Sequence, residues 1–120
     1  MEVNLKEDER IDDLEYKDLK IIQRKDKTAF CFGIDSVLLS DFAKEIKNNS
    51  TVLDLGSGTG IISILLSKKI NAKKIVGIEI QKEVYEMSKK SIILNDLENV
   101  DFINEDIKNL NKIIENNSCD

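Results

Sequence analysis

With 120 residues, 41% of them hydrophobic and 34% charged, the chain suits one soluble globular domain. A formal net charge of −5 argues against a domain built to coat nucleic acid, though it leaves room for a local basic patch. There is no histidine, which removes Ser-His-Asp, Cys-His and histidine–metal chemistry.

Cys31 and Cys119 lack CxxC spacing and read as reduced thiols, neither a metal site nor a disulfide. No apolar run approaches the ~18 residues that span a bilayer. Met1 to Leu14 is acidic and has no apolar core segment, so no leader is expected and the expected compartment is the cytoplasm.

Residues 1–19 hold eight acids against three bases, which suggests partial disorder or a short helix. Leu19 to Gln23, a charged turn, and Ala29 to Phe32 then read as a hairpin. The bases of that turn, Lys25 and Lys27 with Lys20 and Arg24 before them, form either a solvated turn or a phosphate-facing edge. A helix is expected from Gly33-Ile34-Asp35-Ser36, with Asp35 as its N-cap. Its apolar side, Val37, Leu38, Leu39, Phe42, Ala43 and Ile46, should pack on a sheet, and Asn48-Asn49-Ser50 should end it.

Val52-Leu53-Asp54-Leu55 reads as a buried strand. Gly56, Gly58 and Gly60 follow at every second position, and an apolar helical pattern starts at Ile61 and runs to about Lys69. Strand, glycine turn and helix in that order make a cofactor loop. Glycine lets the backbone come close to a ligand, and the helix N-terminus offers free N–H groups. The dinucleotide fingerprint G-x-G-x-x-G requires a glycine at position 61, where this chain has Ile61.

A second strand, Lys74 to Ile80, carries Glu79 near its end, at the spacing where an acid accepts hydrogen bonds from a ribose in a βαβ unit. Gln81 to Asn95 reads as a helix with Met87 as core filler, stopped at Asn95-Asp96. Val100 to Ile103 is the third strand, and a short helical stretch follows Asp106. Three β-α units in series predict an α/β fold with a parallel sheet and right-handed crossovers.

Asp54-Leu55-Gly56-Ser57-Gly58-Thr59-Gly60 resembles motif I of the S-adenosylmethionine-dependent methyltransferases with a Rossmann-like fold. The segment Phe30 to Leu39 resembles the stretch before motif I in the bacterial tRNA(Val) adenine-N6 methyltransferases, within the wider methyltransferase small-domain group. The resemblance implies S-adenosylmethionine as cofactor. Glu79, with Ile80 beside it, would take the ribose; Asp106, with Ile107, would take the adenine; Asp54 would face the methionine ammonium; and Gly56, Ser57, Gly58 and Gly60 would form the loop. Asp35 either lines the methionine end or only caps its helix, and Asp106 can be an N-cap as well as a cofactor contact.

The family's catalytic Asn-Pro-Pro-Tyr sits after a fourth strand, and this chain has no proline. The resemblance therefore implies a Rossmann-like methyltransferase fold truncated after about three βα units, with residues 1–34 as extension and hairpin and residues 35–120 as the N-terminal half of the cofactor domain. It implies a tRNA substrate for the longer protein, no membrane partner, no catalytic residue in this stretch, and no turnover by it alone. It also implies an apolar edge along Val52 to Leu55, open to self-association. Glutamine-N5 protein methylation, guanine-N2 rRNA methylation and a non-catalytic cofactor-binding module stand as alternatives.

Overall fold

The computed structural model describes residues 3–25, 34–113 and 119. Cys31, the Phe30–Gly33 part of the segment before motif I and the expected strand Ala29–Phe32 lie outside them. The elements are β1 (Glu9–Asp13), β2 (Lys20–Arg24), α1 (Ile34–Phe42), a 3-10 turn (Ala43–Glu45), β3 (Thr51–Leu55), α2 (Ile61–Lys69), β4 (Lys74–Glu79), α3 (Lys82–Asn95), β5 (Val100–Asn104), a second 3-10 turn (Ile107–Asn109) and α4 (Leu110–Ile113).

The three β-strands after α1 form one parallel sheet in the order β3-β4-β5. The register sets Asp54 beside Gly77, Gly77 beside Phe102, and Glu79 beside Asn104. Side chains alternate across a sheet, so Ile75, Val100 and Phe102 share a face. Ile61, Ile64, Leu65 and Leu66 of α2 pack in one core with them. The strand–loop–helix–strand sequence folds as its hydrophobic pattern dictates.

The N-terminal segment differs from expectation. Residues 9–13 form a strand, neither a helix nor a disordered run, and β2 pairs antiparallel with this upstream strand. Tertiary packing decides it. Leu14, Leu19 and Ile21 enter the main core, and α3 completes the strand's polar groups. Asn95 accepts the Lys20 N–H at 2.8 Å and donates to the Lys20 carbonyl at 2.7 Å, so its side-chain amide acts as a one-residue strand partner. Ser91 Oγ accepts the Ile22 N–H at 3.0 Å. Single-sequence reading has no way to see an acidic strand held by a helix eighty residues on.

The α1 helix is shorter than expected and turned outward. It ends at Phe42 in a 3-10 turn, and Asp35 lies inside its first turn and not at the capping position. Leu38, Leu39 and Phe42 are 59%, 52% and 82% exposed, so the expected apolar face does not cover the sheet. The helix packs on α2, while α2 and α3 are the helices that contact the sheet. Only Ala43 and Ile46 of the expected set join the core. Buried Ser40 anchors the helix, accepting from Lys69 Nζ at 3.0 Å.

The helix ends follow the sequence more closely. Asp96 adopts φ +53° after α3, as expected of its stop, whereas Asn49, at φ +63° and donating to the Asn71 carbonyl, lies in the loop before β3 and ends no helix. Lys68 and Lys69 stand in the last turn of α2, where cations oppose the negative helix end. Met87 is buried, in keeping with a filler role. Among the described residues, no helix is long and apolar enough to cross a membrane.

Candidate cofactor site

The carboxyl ends of β3, β4 and β5 carry the candidate residues. Beyond Leu55 the chain must rise from the strand and enter α2 within five residues. Gly56, Gly58 and Gly60 do this at φ +67°, +59° and +93°, conformations that L side chains resist. The loop hangs from β4, because the N–H groups of Gly56 and Ser57 both donate to the Ile78 carbonyl, at 2.9 and 3.0 Å.

The three glycines do different work. A Cβ on Gly56 or Gly58 would meet nothing within 4 Å, so open space lies above the loop there. A Cβ on Gly60 would stand 2.5 Å from Cζ of Phe102. Gly60 is therefore also a packing position. Gly77 is a second such glycine, missed by the motif reading. Its Cβ would strike the Phe102 ring at 2.4 Å and the Ser57 Cβ at 2.7 Å. The available signal was a glycine inside a β-branched strand, which marks close backbone approach.

Glu79 ends β4 and is 7% exposed. Its Oε1 accepts the Gly58 N–H at 2.9 Å and its Oε2 the Gln81 N–H at 2.9 Å. Each oxygen keeps a second acceptor site, so the carboxylate is oriented and still able to bind hydroxyl groups. Asn104 Nδ2, another residue the sequence reading missed, donates to the carbonyls of Glu79 and Ile80 at 2.9 and 3.0 Å and fixes the strand end.

Hydrogen bonds continue from there to Asp106. The Glu105 N–H donates to the Glu79 carbonyl at 3.2 Å, and the Asp106 N–H to Glu105 Oε1 at 2.9 Å. Asp106 caps the 3-10 turn Ile107–Asn109, accepting the Lys108 N–H at 2.9 Å. Ile80 and Ile107 present exposed apolar side chains next to these acids. Thus Gly58, Glu79, Ile80, Asp106 and Ile107 are brought to one end of the sheet. Asp35 is exposed in the first turn of α1.

Asp54 lies at the end of β3 with its Oδ2 accepting from Ser63 Oγ at 2.8 Å. Burial holds its carboxyl above the usual carboxylate range. The side-chain and backbone hydrogen bonds from Ser63 oppose that shift, and the neighbouring Glu79 charge adds to it. An acid with a raised folded pKa stabilises the fold fully below its unfolded pKa, and loses that contribution as pH rises through the folded value. Asp54→Asn keeps the acceptor for Ser63 and removes the charge. It should therefore raise the urea midpoint at neutral pH, and the gain should vanish once pH falls below the ordinary aspartate range near 3.8. A gain that persists in acid would place its cause elsewhere.

Ser57 completes the loop. Its hydroxyl is buried without a hydrogen-bond partner among the described residues, which leaves it for a ligand or a water to satisfy. Ile61, at the position where a dinucleotide fingerprint has its third glycine, is packed into the core at 6% exposure. Open space over two glycines, an oriented carboxylate and two flanking apolar side chains fit an adenosine-bearing cofactor.

Comparison with known proteins agrees with this geometry. A family model described as "Methyltransferase domain" matches residues 46–120. The tRNA1(Val) (adenine(37)-N6)-methyltransferase of Flavobacterium johnsoniae is 40% identical over 65 residues, covering 54% of this chain and 28% of that protein. The release factor glutamine methyltransferase of Fusobacterium nucleatum is 36% identical over 56 residues, covering 47% of this chain and 16% of that protein. Among solved structures, M. jannaschii TYW2 in complex with AdoMet superposes with a TM-score of 0.70 at 25% identity, over 88% of this chain and 47% of that one. The chain thus spans under a third of the two sequence relatives' length. With the family model covering more than half of its residues, on a Rossmann-like sheet and glycine loop of this form, the chain belongs to the methyltransferase-domain family.

Proposed function

We propose that this chain is the cofactor-binding part of an S-adenosylmethionine-dependent methyltransferase that acts on adenine N6 in tRNA. One observation carries the cofactor reading. Glu79 stands at the end of β4 with both oxygens held by backbone N–H groups, beside a loop whose Gly56 and Gly58 leave open space. In this reading Glu79 accepts the ribose hydroxyls, Ile80 and Ile107 sandwich the adenine, Asp106 accepts from its amino group, and Asp54 faces the methionine ammonium. Residues 35–120 are then the N-terminal half of the domain.

The bound cofactor supplies a methyl group on a sulfonium for in-line displacement by a nitrogen lone pair. The residues of this chain hold and orient it, and a half-buried Asp54 balances its positive end. The chain contains no proline and so no Asn-Pro-Pro-Tyr, the element that positions the base in the family it resembles, and turnover by these residues alone is not expected. The tRNA reading is supported by the relative from F. johnsoniae. Glutamine methylation is the second reading, supported by the relative from F. nucleatum.

Calorimetric titration with S-adenosylmethionine and then with NAD tests the cofactor. Saturable binding of the first alone is expected. Binding of NAD alone would overturn the reading.

The sheet edge supports a further part of this proposal. Among the described residues β3 is an edge of the sheet, Leu55 is 49% exposed, and α1 leaves Leu38, Leu39 and Phe42 in solvent. An apolar edge of this kind pairs with other chains. Sedimentation velocity should show a mass that rises with concentration. A monomer throughout a wide concentration range would remove self-association from the proposal.

A further inference from the structure

The end of the sheet opposite the glycine loop has a charge of the other sign. Residues 41–74 contain Lys44, Lys47, Lys68, Lys69, Lys73 and Lys74, although the whole chain carries −5. The fold gathers these lysines where α2 ends, β3 and β4 begin and the first 3-10 turn closes. The Asn49 N–H donates to the Asn71 carbonyl at 2.6 Å and the Lys73 N–H to the Ser50 carbonyl at 2.8 Å, which ties the two loops together.

Between them lies a groove of about 330 Å³, lined by Lys44, Lys68 and Lys69 with Asn48, Ser67 and Asn71, and with no acid in its wall. Lys17 extends the positive charge, because its Nζ donates to the Lys68 carbonyl at 3.1 Å. Asp41 and Glu45 flank Lys44 in the chain, and Asp101 feels the charge of Lys74. Asp41 lies 3.6 Å from Lys44 and 3.7 Å from Lys69, too few charges to cancel the set.

Lys69 is the fixed part of this surface. Its side chain is 9% exposed, donates to Ser40 and lies 5.3 Å from the centre of the Tyr16 ring. Lys44, Lys47, Lys68, Lys73 and Lys74 are exposed around it. Clustered lysines with amide and hydroxyl donors in one groove are the footprint of a phosphate backbone.

We propose that the groove at the amino ends of β3 and β4 docks the phosphate backbone of an RNA whose target base is presented at the opposite, carboxyl end of the sheet. The proposal rests on the RNA reading given above for the substrate. β4 has six residues, so the two ends lie about 20 Å apart at ~3.3 Å per residue. The molecule measures 41 × 31 × 27 Å, and a folded RNA reaches across it. The division of labour is chemical. The carboxyl end, with Asp54, Glu79, Glu105 and Asp106, repels a phosphate chain and suits a neutral base. The amino end attracts the chain and sets its register.

The test is fluorescence anisotropy of the full chain with a labelled RNA stem-loop across a salt series. Lys44→Glu with Lys68→Glu should weaken binding at least tenfold, and should lower the slope of log affinity against log salt by about 2. Lys6→Glu with Lys20→Glu, away from the groove, changes the net charge equally and should leave affinity within about twofold of wild type. Lys44→Gln with Lys68→Gln provides the comparison if the charge reversals disturb folding, and should weaken binding severalfold.

Equal loss in the groove and control variants, an unaltered groove variant, or no RNA binding by the wild type at low salt would each overturn the proposal. Cofactor titration of the same samples separates this from failure of the function reading. S-adenosylmethionine binding without groove-dependent RNA binding sinks only the groove. Groove-dependent RNA binding without S-adenosylmethionine binding sinks only the cofactor reading.

Discussion

Glu79→Gln should lower the affinity for S-adenosylmethionine by about a hundredfold, measured by calorimetric titration against wild type. The side chain keeps its shape, so the loss is electrostatic. The wild-type carboxylate is acceptor-only, and each oxygen receives one backbone N–H, from Gly58 and from Gln81. An amide has one acceptor and one donor end. Whichever way it turns, its NH2 faces one of those N–H groups, and that group loses its partner. The ribose hydroxyls lose a charged acceptor at the same time. Hydrogen bonds to a charged group contribute about 1.5–3 kcal/mol, and about 2.8 kcal/mol corresponds to a hundredfold. Folding stability should also fall, by about 1–3 kcal/mol for the buried N–H left unpaired. Glu79→Ala should lose affinity further. Wild-type affinity in Glu79→Gln would remove Glu79 from the ribose and the proposed pose with it.

Gly60→Ala should destabilise the fold by about 2–5 kcal/mol in urea unfolding. Two costs add. At φ +93° a side chain is strained, which costs about 1–2 kcal/mol. Its Cβ also falls 2.5 Å from Cζ of Phe102, a buried ring wedged between the loop and Gly77, and overpacking of this kind costs about 1–3 kcal/mol. Domains of this size have about 5–15 kcal/mol in total, so a large share of stability goes. Gly58→Ala is the contrast. It meets nothing within 4 Å, so only the backbone term of about 1–2 kcal/mol applies, while the new methyl intrudes on the space above the loop. The two variants should separate cleanly, Gly60→Ala acting on the urea midpoint and Gly58→Ala mainly on cofactor affinity. Equal midpoints would show that Phe102 gives way, and the packing account of Gly60 would fail.

The contrast between these glycines also shows what spacing conveys and what it omits. A glycine at every second position after a buried strand announces a turn that side chains cannot make, and the structure holds all three at positive φ. The same letters do not say that one of them faces a phenylalanine forty-two residues on. Phe102 reaches Gly60 only because β5 pairs with β4 in a register that sets it beside Gly77.

Local forces were enough to specify three strands and two helices with matching hydrophobic periods, the glycine turn, and the acid at the end of β4. Those follow from side-chain period and backbone sterics, which act within a few residues. Long-range contacts set the pairing of β1 with β2, the outward turn of α1 and the coupling of Glu79 to Gly58. An acidic segment becomes a strand because Asn95 and Ser91 of α3 satisfy its partner's backbone. An amphipathic helix leaves Phe42 in water because it packs on α2 and not on the sheet. Lysines from separate turns make one groove because two loops are hydrogen-bonded together at the foot of the sheet. Each of these depends on contacts between residues far apart in the chain, where the free energy of burial and of satisfied polar groups outweighs local preference.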